Sequence, residues 1–89
     1  MLVLPTELTH KQASVTLRML LQALKAERDS KVLVDAAALA SFDSSALAVL
    51  LECRRTALSE GRGFMVKALP PALASLAGLY GVRELLPAV

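Results

Sequence analysis

The sequence is poor in the residues on which several protein classes depend. Its 89 residues include one cysteine, one histidine, two phenylalanines, one tyrosine and no tryptophan. A lone cysteine forms no internal disulfide, which is typical of a protein kept in a reducing compartment. One histidine and one cysteine are too few for a zinc site, and so few aromatic rings give nucleic-acid bases no surface to stack on. We therefore expect no metal, no cofactor and no nucleic-acid partner.

Long apolar runs are also missing. The longest stretch without a charged residue lies between Lys67 and Arg83, and two prolines and two glycines interrupt it. It is shorter than the ~20 apolar residues that a helix needs to cross a bilayer. No basic residue precedes the first apolar residues, and Pro5 and Glu7 break them up, so we predict no secretory signal. The expected location is cytoplasmic, with the membrane reached only indirectly, at its cytosolic face, through a partner.

The sequence also lacks a large excess of charge of either sign. Ten basic and eight acidic residues leave a net charge of +2. Hydrophobic residues make up 55% of the chain and the mean hydropathy is +0.54, which excludes a disordered segment. The length predicts a single domain spanning residues 1–89. The apolar surplus predicts either a large core or an apolar surface that meets a partner.

Strand-like and helix-like segments alternate along the chain. The first eight residues favour a strand that Pro5 places at an edge or bends, and Thr9 with Gln12 forms a capping box that opens a helix. The β-α-β-α-β-α order predicts an α/β fold with a mostly parallel sheet of three or four strands and flanking helices. The predicted elements are strand 1–8, helix 10–26, strand 31–37, helix 44–60 stopped by Gly61, strand 64–69, a helix from Pro70 to Gly81, and a terminal element 85–89.

The sequence has few side chains that could act together in catalysis. His10 falls at a helix start, where a surface role is expected, and Cys53 falls on the apolar face of the second helix, where a buried thiol is usually inert. Asp35 and Asp43 could lie near each other at strand ends, but they are a weak acid/base pair because loop carboxylates commonly serve as caps. We therefore predict that the protein is not an enzyme. A small hydrolase or transferase is the alternative if His10 lies beside Ser44 or Cys53. An interfacial lipid-binding protein is a further alternative, suggested by the apolar third helix.

The most informative stretch is Asp43-Ser44-Ser45, between a buried strand and the second helix. Asp43 is a good N-cap, and the hydroxyls of both serines lie among the unpaired N–H groups of a first helical turn. The plain interpretation is an ordinary cap followed by a solvated helix face. The functional interpretation is a partner-binding or phosphate-accepting site. Its candidate residues are Asp43, Ser44, Ser45, Ala48, Glu52 and Arg55.

This stretch resembles the signature of STAS domains, in which Asp-Ser/Thr-x-Gly-Leu opens the second helix. Asp43 matches the aspartate, and Ser44 matches the hydroxyl residue that is phosphorylated or contacts a partner in members of the family. Leu47 matches the leucine, whereas Ala46 stands where the family usually has glycine. The resemblance implies the STAS fold, with the strand that usually precedes residues 1–8 missing. The sheet edge left by that strand is then bare or paired with a second copy in a homodimer.

The C-terminal third is similar to the end of the MlaB subfamily. The similar segments are Ser75–Val82 and Leu85–Pro87. That subfamily comprises the cytosolic STAS subunits of the Mla phospholipid ABC transporter of Gram-negative bacteria, which serves outer-membrane lipid asymmetry. The resemblance implies a non-enzymatic regulatory or assembly subunit that binds the transporter's ATPase subunit through Ser44. The alternative is an anti-sigma-factor antagonist whose binding to a kinase-type anti-sigma factor is regulated by phosphorylation of Ser44.

Overall fold

The computed structural model describes all 89 residues, and strands and helices alternate along them. A 3-10 turn at Arg83–Leu85 follows the last helix. None of the helices is long and apolar enough to cross a membrane. The elements are β1 (Leu2–Val3), β2 (Glu7–Leu8), α1 (Ala13–Ala26), β3 (Lys31–Asp35), β4 (Ser41–Phe42), α2 (Ser45–Ser59), β5 (Gly63–Lys67) and α3 (Pro71–Leu79).

The strands form two small parallel sheets. The main sheet has the order β1-β3-β5, and β2 pairs with β4 in a second sheet. In the central strand, Val32 and Val34 are fully buried while Leu33 between them is only half-buried. This alternation turns one face of the main sheet toward the helices. The predicted α/β fold with a small parallel sheet is confirmed.

The prediction of one strand over residues 1–8 is wrong in detail. The Leu4 N–H still donates to β3, at 2.9 Å. Pro5 has no N–H, so the ladder stops there. The Thr6 carbonyl then accepts the Ala40 N–H at 2.8 Å, which brings the following residues alongside β4. The segment therefore contributes β1 to one sheet and β2 to the other.

Helix α1 begins later than predicted, at Ala13 instead of His10. Gln12 Oε1 accepts the Thr9 N–H at 2.9 Å, as a capping box requires. The Gln12 N–H, however, donates to the Thr9 carbonyl only three residues back, and the bond from Thr16 N–H to the Gln12 carbonyl at 2.9 Å is of the α-helical kind. The capping box thus closes a tight turn in front of the helix.

Glycines end α2 and α3 as predicted. Gly61 has a φ of +71° and Gly81 a φ of +73°, values that cost glycine little. After α2, the Arg62 N–H donates to the Ala57 carbonyl and the Gly61 N–H to the Leu58 carbonyl, both at 3.0 Å. This pair of bonds is the Schellman motif. It sets the point at which the chain leaves α2 for β5.

The core consists of 20 buried apolar residues between the helices and one face of the main sheet. Helix α1 lies against β1 and α2 lies against β5, with the two helices in contact along their length. Leu58 of α2 is 46% exposed although it is a large apolar residue. The protein therefore has exposed apolar side chains in addition to its buried core. The large exposed apolar side chains are Met1, Val3, Val15, Met19, Leu58, Leu79, Tyr80 and Val89.

The two edges of the main sheet differ. The chain end covers β5, because the Val66 N–H donates to the Pro87 carbonyl at 2.9 Å and its carbonyl accepts the Val89 N–H at 3.1 Å. The outer edge of β1 pairs with no strand. Only a short ladder with another strand could form there. The backbone polar groups of Val3 point away from β3, and the next residue whose backbone points that way is Pro5, which has no N–H. A homodimer through this edge stays a prediction.

Candidate functional site

Asp43 connects the turn before α1 with the start of α2. Its Oδ1 accepts the Ser45 N–H at 2.8 Å, which makes it the cap expected for α2. Its Oδ2 accepts the His10 N–H at 3.0 Å and lies 3.3 Å from His10 Nδ1. One carboxylate therefore links the turn that leads into α1 to the start of α2.

These hydrogen bonds keep Asp43 ionised. The N–H of His10, followed by that of Ser45, lowers the pKa of the carboxyl group from 3.8 to about 2. A negative charge at this position also suits the partial positive charge at the beginning of α2. The site therefore carries a fixed carboxylate directly before Ser44.

Asp43→Asn is expected to destabilise the protein in a pH-dependent way. The folded-state pKa of about 2 is below the unfolded value of 3.8, so the charge stabilises the fold above pH 3.8. That contribution is lost as the pH falls through about 2. Urea unfolding of both proteins between about pH 2 and 6 should show a difference that shrinks on acidification. A difference that is constant over this range would contradict the role of the charge.

Four of the predicted site residues form one stripe on α2. Ser44, Ala48, Glu52 and Arg55 follow one another at spacings of four, four and three residues, which keeps them on one side of a helix. Ser44 and Ala48 are exposed. Arg55 holds Glu52 through two bonds, Nη2 to Oε2 at 3.1 Å and Nε to Oε1 at 3.3 Å. The stripe thus runs from a neutral hydroxyl to a surface ion pair.

A shallow cleft of about 180 Å³ separates this stripe from α1. Ser45, Ala48 and Glu52 line it from α2. Most of the lining side chains are small, so another protein's side chain can reach close to both helix backbones. Arg55 lies one turn beyond the cleft. Val49 and the α1 residues Ala13, Ser14 and Leu17 complete the lining.

The α1 half of this cleft and the role of His10 were not predicted. His10 is 75% exposed, as a surface residue should be, yet it contacts Asp43 across 33 positions of sequence. The β2–β4 ladder explains the contact, because His10 follows β2 and Asp43 follows β4 at a matching register. A ladder of two residues leaves no periodic signal in the sequence.

The nucleophile–base pairs that a hydrolase requires are not formed. The His10 ring lies against Asp43, and the Ser44 hydroxyl makes no hydrogen bond to either. Cys53 is fully buried. Burial, with a smaller effect from the charge of Glu52, raises the pKa of its thiol to about 11. The thiol is therefore protonated at neutral pH, and neither the Cys53 thiol nor the Ser44 hydroxyl is hydrogen-bonded to a base.

The fold matches that of a solved structure. A Thermotoga maritima protein described as an anti-sigma factor antagonist has a crystal structure that matches with a TM-score of 0.80. The match covers 97% of this chain and 75% of that one, at 16% sequence identity. At this identity the likeness shows a common fold. The class that this fold and the Asp-Ser-Ser helix start define is the STAS domain.

The family itself is shown by the sequence. The profile of the family described as "Mlab, STAS domain" matches residues 1–87, so the chain belongs to the MlaB STAS-domain family. STAS domains are in general regulatory and protein-interaction domains. No curated protein matches the chain significantly. The family prediction made from the Asp43 motif and the C-terminal segments is confirmed.

Proposed function

We propose that this protein is a non-enzymatic regulatory or assembly subunit of an Mla-type phospholipid-transporting ABC complex. It binds the ATPase subunit through a docking surface that consists of Ser44, the α2 stripe and the α1–α2 cleft. The supporting observation is the exposed, uncharged Ser44 beside a cleft of small side chains, in a member of the MlaB family. Its place is the cytosolic face of the inner membrane, reached through the partner.

The departure of Ala46 from the family's glycine is compatible with this role. Ala46 is fully buried, so its methyl group points into the core and not toward the docking surface. The outward positions next to it, Ser44 and Ser45, carry short side chains. A partner can therefore approach the beginning of α2 as closely as it could if residue 46 were glycine.

The alternative function is that of an anti-sigma-factor antagonist. The fold match to the Thermotoga maritima protein favours it, since that protein is described in those terms. An exposed Ser44 hydroxyl is also accessible to a kinase. Phosphorylation would add about −1.5 to −2 charges next to the ionised Asp43, which is a strong signal for releasing a partner.

Binding kinetics with two purified candidates separate these functions. The chain is immobilised and exposed to the Mla-type ATPase subunit of its own genome, and separately to a kinase-type anti-sigma factor with ATP. The proposal predicts saturable binding to the ATPase and no phosphate transfer to Ser44. Binding and phosphorylation by the anti-sigma factor alone would establish the alternative. Binding to neither would overturn both.

A further inference from the structure

Helix α1 carries a row of cations on its outward side. Arg18 and Lys25 lie two turns apart on one side of α1, and Lys11 lies in the turn that leads into the helix, seven residues before Arg18. All three are exposed, and none takes part in an ion pair. The sequence has no acidic residue between Glu7 and Glu27. Helix α1 itself therefore carries no negative charge that offsets the row. Only Lys25, at its far end, lies near carboxylates, since it lines a polar pocket with Glu27, Asp29 and Glu60.

The cationic row borders the docking surface. Ser14 and Leu17 line the cleft from α1, and Arg18 comes directly after Leu17 on the outward side. On the other side of the cleft, the charge of Glu52 is balanced by Arg55 at 3.1 Å. Any molecule that covers the cleft therefore comes close to Arg18. The docking surface itself adds the ionised carboxylate of Asp43, but the three cations of the row outnumber it, so the net charge that a partner meets is positive.

We infer that the partner presents an acidic protein surface to α1, and that Lys11, Arg18 and Lys25 guide it onto the docking surface. This inference rests on the proposed function and adds the chemistry of the partner's contact face. A protein is favoured over an anionic bilayer because the cationic row adjoins a concave cleft, which a side chain can enter and a flat lipid surface cannot fill.

The expected effect is kinetic. Exposed charges act over roughly a Debye length of 8–10 Å at physiological salt, so they change the rate of encounter more than the lifetime of the complex. Arg18→Glu combined with Lys25→Glu is expected to lower the association rate about tenfold at low salt. The dissociation rate should change far less. The difference between the variant and the wild type should fade as salt is raised.

The test measures association and dissociation rates with the purified ATPase subunit at about 0.05 M and 0.5 M NaCl. The matched control is Lys31→Glu combined with Arg83→Glu, an equal charge change at exposed positions outside α1 and the cleft. Thermal unfolding verifies that both variants are folded. The control should associate faster than the α1 variant at low salt.

Each result has a distinct meaning. If wild type binds and the α1 variant associates no more slowly than the control, the inference is wrong while the proposed function stands. If wild type does not bind the ATPase at all, the proposed function fails, and the inference fails with it. Vesicles containing phosphatidylglycerol are measured in parallel. Loss of vesicle binding by the α1 variant, with unchanged ATPase kinetics, would show that the row contacts lipid and overturn the inference.

Discussion

Ser44→Asp is expected to weaken binding of the ATPase subunit about a hundredfold or more while the fold stays intact. A carboxylate buried in an interface without a partner costs several kcal/mol, and about 1.4 kcal/mol corresponds to a tenfold change in affinity. The helix start would favour the new charge by only about 0.3–1 kcal/mol. The interface penalty therefore dominates. The neighbouring Asp43 carboxylate adds repulsion, since its pKa of about 2 keeps it ionised.

Equilibrium binding to the ATPase subunit measures this effect. Ser44→Ala removes the hydroxyl without adding charge, so its loss of affinity should be less than about tenfold. Ser75→Asp makes the same substitution at an exposed position of α3, away from the docking surface. It should bind as wild type does. If Ser44→Asp binds as tightly as Ser75→Asp, Ser44 does not lie in the interface.

Arg62→Met is expected to lower the free energy of unfolding by about 2–4 kcal/mol. Arg62 lies between α2 and β5, and its guanidinium binds the end of α1 and the loop that follows it. Nε donates to the Asp29 carbonyl and Nη1 to the Leu24 carbonyl, both at 2.8 Å. Its side chain is only 10% exposed, so water cannot easily replace it. Methionine fills similar space but leaves both carbonyls without a donor. The buried Nη2 has no hydrogen-bond partner, and its removal offsets part of this loss.

Urea unfolding of three variants tests this expectation. Arg62→Lys keeps a charge but has one terminal donor group in place of a fork, so its stability should fall between wild type and Arg62→Met. Arg83→Met changes an exposed arginine that makes no ion pair, and it should be within about 0.5 kcal/mol of wild type. Equal stabilities for Arg62→Met and Arg83→Met would mean that the two carbonyl contacts do not stabilise the fold.

Local chemistry explains why α2 could be predicted well. A polar cap at Asp43 and a glycine stop at Gly61 lie at its two ends, and its apolar residues recur at helical spacing between them. These signals act over a few residues, so the sequence contains them in full. The outward stripe that begins at Ser44 follows from the same periodicity, which is why the placement of these residues on one side of α2 was predictable.

Long-range pairing explains what could not be predicted. Strands β2 and β4 have two residues each and depend on the Thr6 carbonyl, which binds the N–H of Ala40 at 2.8 Å. The contact between His10 and Asp43 follows from that pairing, as does the position of α1 beside α2. The residues that α1 contributes to the cleft depend on how two helices pack. That packing is a property of the folded molecule, and short sequence patterns do not encode it.

Hydrogen–deuterium exchange on the complex with the ATPase subunit tests most directly whether the beginning of α2 is the docking surface. Binding should slow exchange in the first two turns of α2, after Asp43, and in the first turn of α1. Exchange in α3 and along the outer edge of β1 should stay as it is in the free protein. Protection confined to α3 or to β1, with unchanged exchange from Ser44 to Arg55, would contradict the account.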